Sequence, residues 1–438
     1  MRIVFISLCC LSASVWADFN QALSDFHNND ITIAKPQFAA LTDAGSVPAM
    51  HYLGLAYLQQ ATPEPIRAYG WLALAREHGH QASIEAIDKL WPHFGVRQRY
   101  LAEQQHQQLS QRLGPQALAQ SLLPVWQPQR RQPPLLAAAT HQQQVKQRQK
   151  LSQQVKFPRQ ARRQQQSGWV SLGFDIGVDG IADNVVIVAA YPPQTFEEQA
   201  LALLAERRYQ PSTEPLYGQQ LRFSFRFDAS ALSDNELREL RRKAAYGDVQ
   251  AAFQYVTAML EQSTLPEQQL RLETMPLLLQ AAQGGIVAAQ LQLYQRLWLG
   301  DWVELDRDKA RRWLDLAAAS GDPWAQMIKA QHLSSTQPQL SLDYLKHAAA
   351  DLPAAKILLV ERLLDSASPA LAEIETLLEQ VPGSQRSDQW WLQLGRWHHQ
   401  RGEPTKALSA LARGQKLAEQ RQRSPQAFTA LAAQWQSD

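Results

Sequence analysis

The chain has two cysteines in 438 residues, Cys9 and Cys10, and both lie near the N-terminus. If the N-terminal segment is removed, no cysteine is left. Disulfides, thiolate metal sites and cysteine nucleophiles are then excluded. Other chemistry is missing too. There is no His-Glu-x-x-His, no Gly-x-Ser-x-Gly and no glycine-rich phosphate loop. His78-Gly79-His80 and His398-His399 are expected to be surface or packing residues and not metal ligands. The sequence therefore points to no catalytic residue, cofactor or metal, and the chain reads as a non-enzyme. No segment beyond the N-terminus is long and apolar enough to span a bilayer. Formal net charge is only +2, so no overall field recruits nucleic acid.

Acidic residues are absent from Gln104 to Phe174, where ten Lys or Arg fall. Arg130, Arg131, Lys146, Arg148 and Lys150 are the centre of this basic, glutamine-rich stretch. Pro124, Pro128, Pro133 and Pro134 mark it as extended. Residues 96–154 thus read as helical and then as a Pro/Gln-rich basic linker. As a coil, 124–155 would span about 30 Å. Such a linker is either merely solvated or a weak contact for anionic lipid or cell wall.

The first 17 residues have the pattern of a secretory signal. Arg2 is followed by the apolar run Ile3 to Val15 and by a small residue, Ala17, which predicts a mature start at Asp18. The run is short for a membrane span, which needs roughly 20 residues. The expected location is the periplasm of a Gram-negative type of envelope. The alternative is an inner-membrane anchor through an uncleaved N-terminus.

An internal repeat organises residues 18–95 and 230–438. A glycine closes one helical run and a small residue follows four positions later. This occurs at Gly45/Ala49, Gly247/Ala251, Gly285/Ala289 and Gly321/Ala325, with variants at Gly79/Ser83 and Asp351/Ala355. Glycine tolerates the left-handed conformation that ends a helix, and alanine lets the next helix approach its neighbour. A helix pair cannot bury its own apolar face, so pairs must stack. Ala49-x-x-x-Leu53-Gly54-x-x-Tyr57 and Asp308-x-Ala310-x-x-Trp313-x-x-x-Ala317-Ala318-x-x-Gly321 resemble SEL-like repeats. Trp391-x-x-Leu394-Gly395, with Ala407 and Leu411, resembles a tetratricopeptide repeat. The resemblance implies an all-α solenoid with a protein-binding concave face.

Residues 155–229 change period. Val170, Leu172, Phe174 and Ile176 alternate with polar or small residues, predicting a strand. Val178-Asp179-Gly180 is a turn, and Val185 to Val188 a second, more buried strand. Phe196 to Arg208 reads as a helix. Leu221, Phe223, Phe225 and Phe227 alternate with Arg222, Ser224 and Arg226, predicting a third strand. In order, Phe157-Pro158-x-x-Ala161, Gly168 to Ile176, Asp179-Gly180, Asn184-Val185-x-Ile187, Phe196-x-x-x-Ala200 and Arg208-Tyr209-x-Pro211 resemble the C-terminal domain of TonB-family proteins. The fold class is then multidomain, a helical solenoid with a small inserted α+β domain. The resemblance implies that the third strand pairs with a peptide of an outer-membrane transporter. Arg222 and Arg226 would favour an acidic partner or simply solubilise the strand.

The function expected is an envelope adaptor that binds other envelope proteins. A TonB-type energy transducer, or a cell-wall-associated structural or regulatory protein, are the alternatives. Cleavage after Ala17 is directly testable. N-terminal sequencing of the protein from the periplasmic fraction should begin at Asp18, and recovery of the intact N-terminus only from inner membrane would favour the transducer.

Overall fold

A computed structural model describes residues 19–128, 158, 161, 163, 168–191, 194–225, 234–262, 265–420 and 424–437. Ala17, Asp18, Arg130, Arg131, Lys146, Arg148, Lys150, Arg226 and Phe227 lie outside the described residues. The chain divides into two compact units. One contains Met1–Arg130 and Leu232–Gly321; the other contains Arg131–Ala231 and Asp322–Asp438.

The first unit is helical. Ile31–Asp43, Val47–Gln59 and Pro65–Glu77 pack in succession, and Val96–Leu113 lies on the third. Asp234–Ala245, Val249–Gln262, Glu267–Gln283, Val287–Leu299 and Arg307–Ala319 form a similar series. The repeat phase follows from local backbone chemistry. Gly45, Gly79, Gly247, Gly285 and Gly321 all have positive φ, where a side chain would be strained. The small residues four positions on, Ala49, Ser83, Ala251, Ala289, Ala325 and Ala355, are buried. Gly54 is a second contact of this kind. A Cβ there would lie 2.7 Å from Leu72 and 3.1 Å from the Ala68 carbonyl.

Two stretches far apart in sequence are stitched together within this unit. The Phe19 amide donates to the Gly284 carbonyl (3.0 Å), and Gln283 Nε2 donates to the Gly45 carbonyl (3.0 Å). Trp313 Nε1 donates to Leu122 O at 3.0 Å. The buried Lys309 ammonium donates to Ala119 O and Leu123 O at the C-terminal end of Pro115–Ser121. A cation there offsets the negative end of the helix dipole. Trp126 bridges Val303, and the Glu304 amide donates to Val125 O (2.8 Å). Of the stretch 124–155 read as a coil, residues 129–155 lie outside the described residues. Pro124 to Gln127 are tied to the 302–304 segment, and the acid-free stretch begins inside Val96–Leu113.

The second unit contains the helices Pro323–Leu333, Pro338–Ala349, Pro353–Leu364, Leu371–Glu379, Asp388–Gln400 and Pro404–Gln420. Gly395 repeats the role of Gly54, with a Cβ 3.0 Å from Leu411 and 3.3 Å from the Ala407 carbonyl. The same unit holds three antiparallel strands in the order β2-β1-β3: β1 (Gly168–Ile176), β2 (Ala182–Tyr191) and β3 (Leu216–Phe225). The helix Glu197–Ala205 covers one face. Val170, Leu172, Phe174, Ile176, Phe196, Ala200, Leu204, Phe223 and Phe225 form that core.

Three expectations change here. The second strand runs from 182 to 191, and it is an edge strand rather than the more buried one; Ile187 is 44% exposed. Both Glu197–Ala205 and Pro353–Leu364 pack against β2, so helix packing, not a central place in the sheet, accounts for its apolar run. The helix spans Glu197–Ala205 rather than Phe196 to Arg208. Phe196 is its N-cap, and Arg208 Nη1 donates to the Ala205 and Arg207 carbonyls beyond its end. The third strand begins at Leu216, five residues before Leu221.

Ala289 is fully buried in Val287–Leu299. Ala289→Leu adds volume where no cavity is needed and should cost about 1–3 kcal/mol. An unchanged melting temperature would show that the small residue does not set the helix approach.

Candidate functional site

A three-stranded sheet has two faces and two edges, and these differ sharply here. On one face the register pairs Val170 with Phe223 and Leu172 with Leu221, over the Glu197–Ala205 helix. Phe196 and Phe225 stack there with centroids 4.8 Å apart. The face is therefore filled.

The other face carries Trp169, Gly173 and Asp175 of β1, and it is covered by Pro323–Leu333. A Cβ on Gly173 would lie 2.3 Å from Trp324 Cζ2, so the indole sits against bare backbone. Gln331 Nε2 donates to Asp175 Oδ2 at 2.6 Å. Asn184 Nδ2 donates to the same oxygen at 2.8 Å, and the Gly218 amide donates to Oδ1 at 2.8 Å. One buried carboxylate thus links β1 to β2, to β3 and to the repeat helix. Burial pushes the Asp175 carboxyl up to about 6, while the three donors pull it down. Tyr217 of β3 meets His332 edge to face at 5.2 Å.

The edges are left. Among the described residues no further strand pairs with β2 or β3. Leu221, Arg222, Phe223, Ser224 and Phe225 lie in β3. Phe223 and Phe225 are buried in the core, and Arg222 is on the opposite face with its guanidinium carbon 3.4 Å from the Trp169 ring centroid. Arg222 is therefore a stacked side chain. Arg207, which the sequence did not single out, lies 5.1 Å over the Phe223 ring on the core face.

The histidine pairs are accounted for by packing. His78 Nε2 meets Leu113 O at 2.7 Å, His398 Nδ1 meets Glu403 Oε2 at 2.7 Å, and His399 stacks on Trp435. Burial first, and His80 second, lower His51 to about 4; both rings hydrogen-bond the buried Ser83 hydroxyl. Among the described residues no group of three or more His, Cys, Asp or Glu is placed to hold a metal ion, and no helix is long and apolar enough to cross a membrane.

The class defined by these observations is a helical-repeat protein carrying a small antiparallel α+β domain. The family model for the Gram-negative bacterial TonB protein C-terminal matches residues 153–228, so this domain is of the TonB C-terminal family. Two solved structures are similar to the chain. One is a Sel1 repeat protein from Oxalobacter formigenes, with 20% identity over 42% of this chain and 56% of that one and a TM-score of 0.35. The other is a protective antigen of uropathogenic Escherichia coli with an SLR fold, with 14% identity over 87% of this chain and 71% of that one and a TM-score of 0.35. No curated protein matches the chain.

The contact at Gly173 is testable. Gly173→Ala should cost about 1–3 kcal/mol, because a rigid indole cannot yield as a flexible side chain would. In denaturant titrations, Gly173→Ala combined with Trp324→Leu should be less damaging than the two effects added. Strict additivity would show that the two positions do not share one contact.

Proposed function

We propose that the protein is an adaptor of the cell envelope whose TonB-type domain takes up an extended peptide along β3 while its helical repeats engage a second protein. The observation that carries this reading is the state of the sheet. One face is core, the other lies on Pro323–Leu333, and the β3 edge has no partner strand among the described residues. An edge strand presents backbone donors and acceptors in register, and an added strand satisfies them. Each such bond contributes about 0.5–1.5 kcal/mol net. About five of them, less the cost of association, give a complex on the order of micromolar.

The TonB family of the domain is Gram-negative, which supports an envelope location, and such a domain is an interaction module. An outer-membrane transporter is the kind of partner the family suggests. No chemistry is assigned to the protein: the sequence has no catalytic motif, and the domain family is a binding one.

Proline tests the edge, because it removes one backbone donor and is tolerated where that donor faces outward. Consecutive residues of a strand point their N–H groups to opposite sides, so Gln220→Pro and Leu221→Pro should be made as a pair. One of them removes a donor that faces away from β1. That variant should keep its circular dichroism and lose capture of envelope proteins through the TonB-type domain, while partners of the repeats are retained. Undiminished capture by both folded variants would mean that β3 is not the recognition edge.

A further inference from the structure

Val96–Leu113 of the first unit is anchored through Ala102, Leu109 and Leu113, which are buried. Before Ala102 the chain is different. Every residue from Gly95 to Leu101 is exposed, so the first turns of this helix project from the fold on all sides. The projecting end is not polar. Val96 is 88% exposed, Tyr100 63% and Leu101 37%. Val96 and Tyr100 are one turn apart and share a face, and Leu101 adjoins it. The base is held by rings. Trp91, half-buried, stacks on the buried Tyr69 with centroids 4.9 Å apart, and the Arg99 guanidinium carbon lies 5.2 Å from the Trp91 ring centroid. From Lys89 to Ala102 there is no acidic residue, and Lys89, Arg97 and Arg99 are exposed cations. Among the described residues none of the three has a side-chain hydrogen bond or ion pair. Asp88 precedes this run. Glu103, which follows it, is turned to the neighbouring helix Pro65–Glu77, where it accepts from the Tyr69 hydroxyl.

We propose that the end of the helix from Val96 to Leu101 is a membrane-docking tip that enters the headgroup layer of an anionic phospholipid bilayer. This does not depend on strand addition at β3. Exposed valine and leucine gain by leaving water, and tyrosine favours the interface, where its ring is apolar and its hydroxyl stays wet. Arginine lays its methylene stem along apolar surface and carries its guanidinium outward to phosphate. An acid-free tip meets no repulsion from an anionic surface, and each cation adds attraction. Shape separates a bilayer from an acidic protein. A rigid protein would need a groove to receive an end that is exposed all round, whereas a fluid headgroup layer closes around it. The six residues rise about 9 Å along the helix. That matches the depth of about 5–10 Å to which interfacial apolar faces are buried.

The test is co-sedimentation of the full chain with vesicles of phosphatidylcholine, alone or with about 30% phosphatidylglycerol. Anionic vesicles should bind at least about tenfold better, and the advantage should shrink as salt is raised. Each cation at an anionic surface contributes about fivefold, so Arg97→Gln and Arg99→Gln should each lower binding to the anionic vesicles by that factor. Val96→Ser combined with Tyr100→Ser should lower it about tenfold and leave the salt dependence in place. These four positions are exposed, so circular dichroism should not change. Arg112→Gln, at the far end of the same helix, removes the same charge and should have no effect. Equal binding to the two kinds of vesicle overturns the proposal. So does anionic binding that survives the tip substitutions, or that falls as much with Arg112→Gln as with Arg97→Gln, since it would then come from another segment or from charge alone.

Discussion

Trp324 can lie against β1 only because position 173 has no side chain. A methyl group there would be 2.3 Å from the indole, far inside van der Waals contact. That one absent atom lets the sheet lie flat on Pro323–Leu333. On the same face of the sheet the buried Asp175 carboxylate needs partners, since a buried carboxylate left alone is costly. Asp175 has three donors, from Asn184, Gly218 and Gln331. Two come from the flanking strands and one from the repeat helix. A three-stranded sheet with a single covering helix is a small structure, and a second packed face adds the burial it would otherwise lack. The TonB-type domain is in this sense completed by the helix it rests on.

The first unit is held by a related device. Lys309 and Trp313 are one helical turn apart on Arg307–Ala319, and both donate to carbonyls of the 119–123 segment. These carbonyls end the helix Pro115–Ser121 and have no intrahelical donor. A buried lysine is unfavourable unless its donors are used, and here the helix end both accepts them and offsets the charge. The SEL-like motif around Ala310 and Trp313 thus also joins the early helices to the later repeats.

What was legible in the sequence was what depends on single residues. Gly45, Gly79, Gly247, Gly285 and Gly321 each mark a left-handed helix end, and the small residue four positions later is buried in every case. Gly180 was legible for the same reason: its φ is positive, and a Cβ would lie 2.2 Å from Tyr209 O. What was not legible depends on contacts distant in the chain. β2 reads as a buried strand because Glu197–Ala205 and Pro353–Leu364 both pack against it, partners that alternation cannot reveal. Arg207 is hidden because the pattern from Phe196 to Arg208 reads as one helix. It stops at Ala205, which releases Arg207 to turn over Phe223. Gly173 did carry a signal, since an isolated glycine inside a strand often marks a close approach by another group. Only its partner was invisible.

The sealed faces also limit how this domain can recognise anything. Binding through a face would require separating β1 from Trp324 or Phe223 and Phe225 from Phe196, and either step exposes packed aromatic surface. Binding through an edge requires no such step, because the backbone groups of an edge already exchange with water. The proposed recognition at β3 is favoured by what it would leave undisturbed. It has a cost in selectivity, since main-chain hydrogen bonds accept almost any sequence.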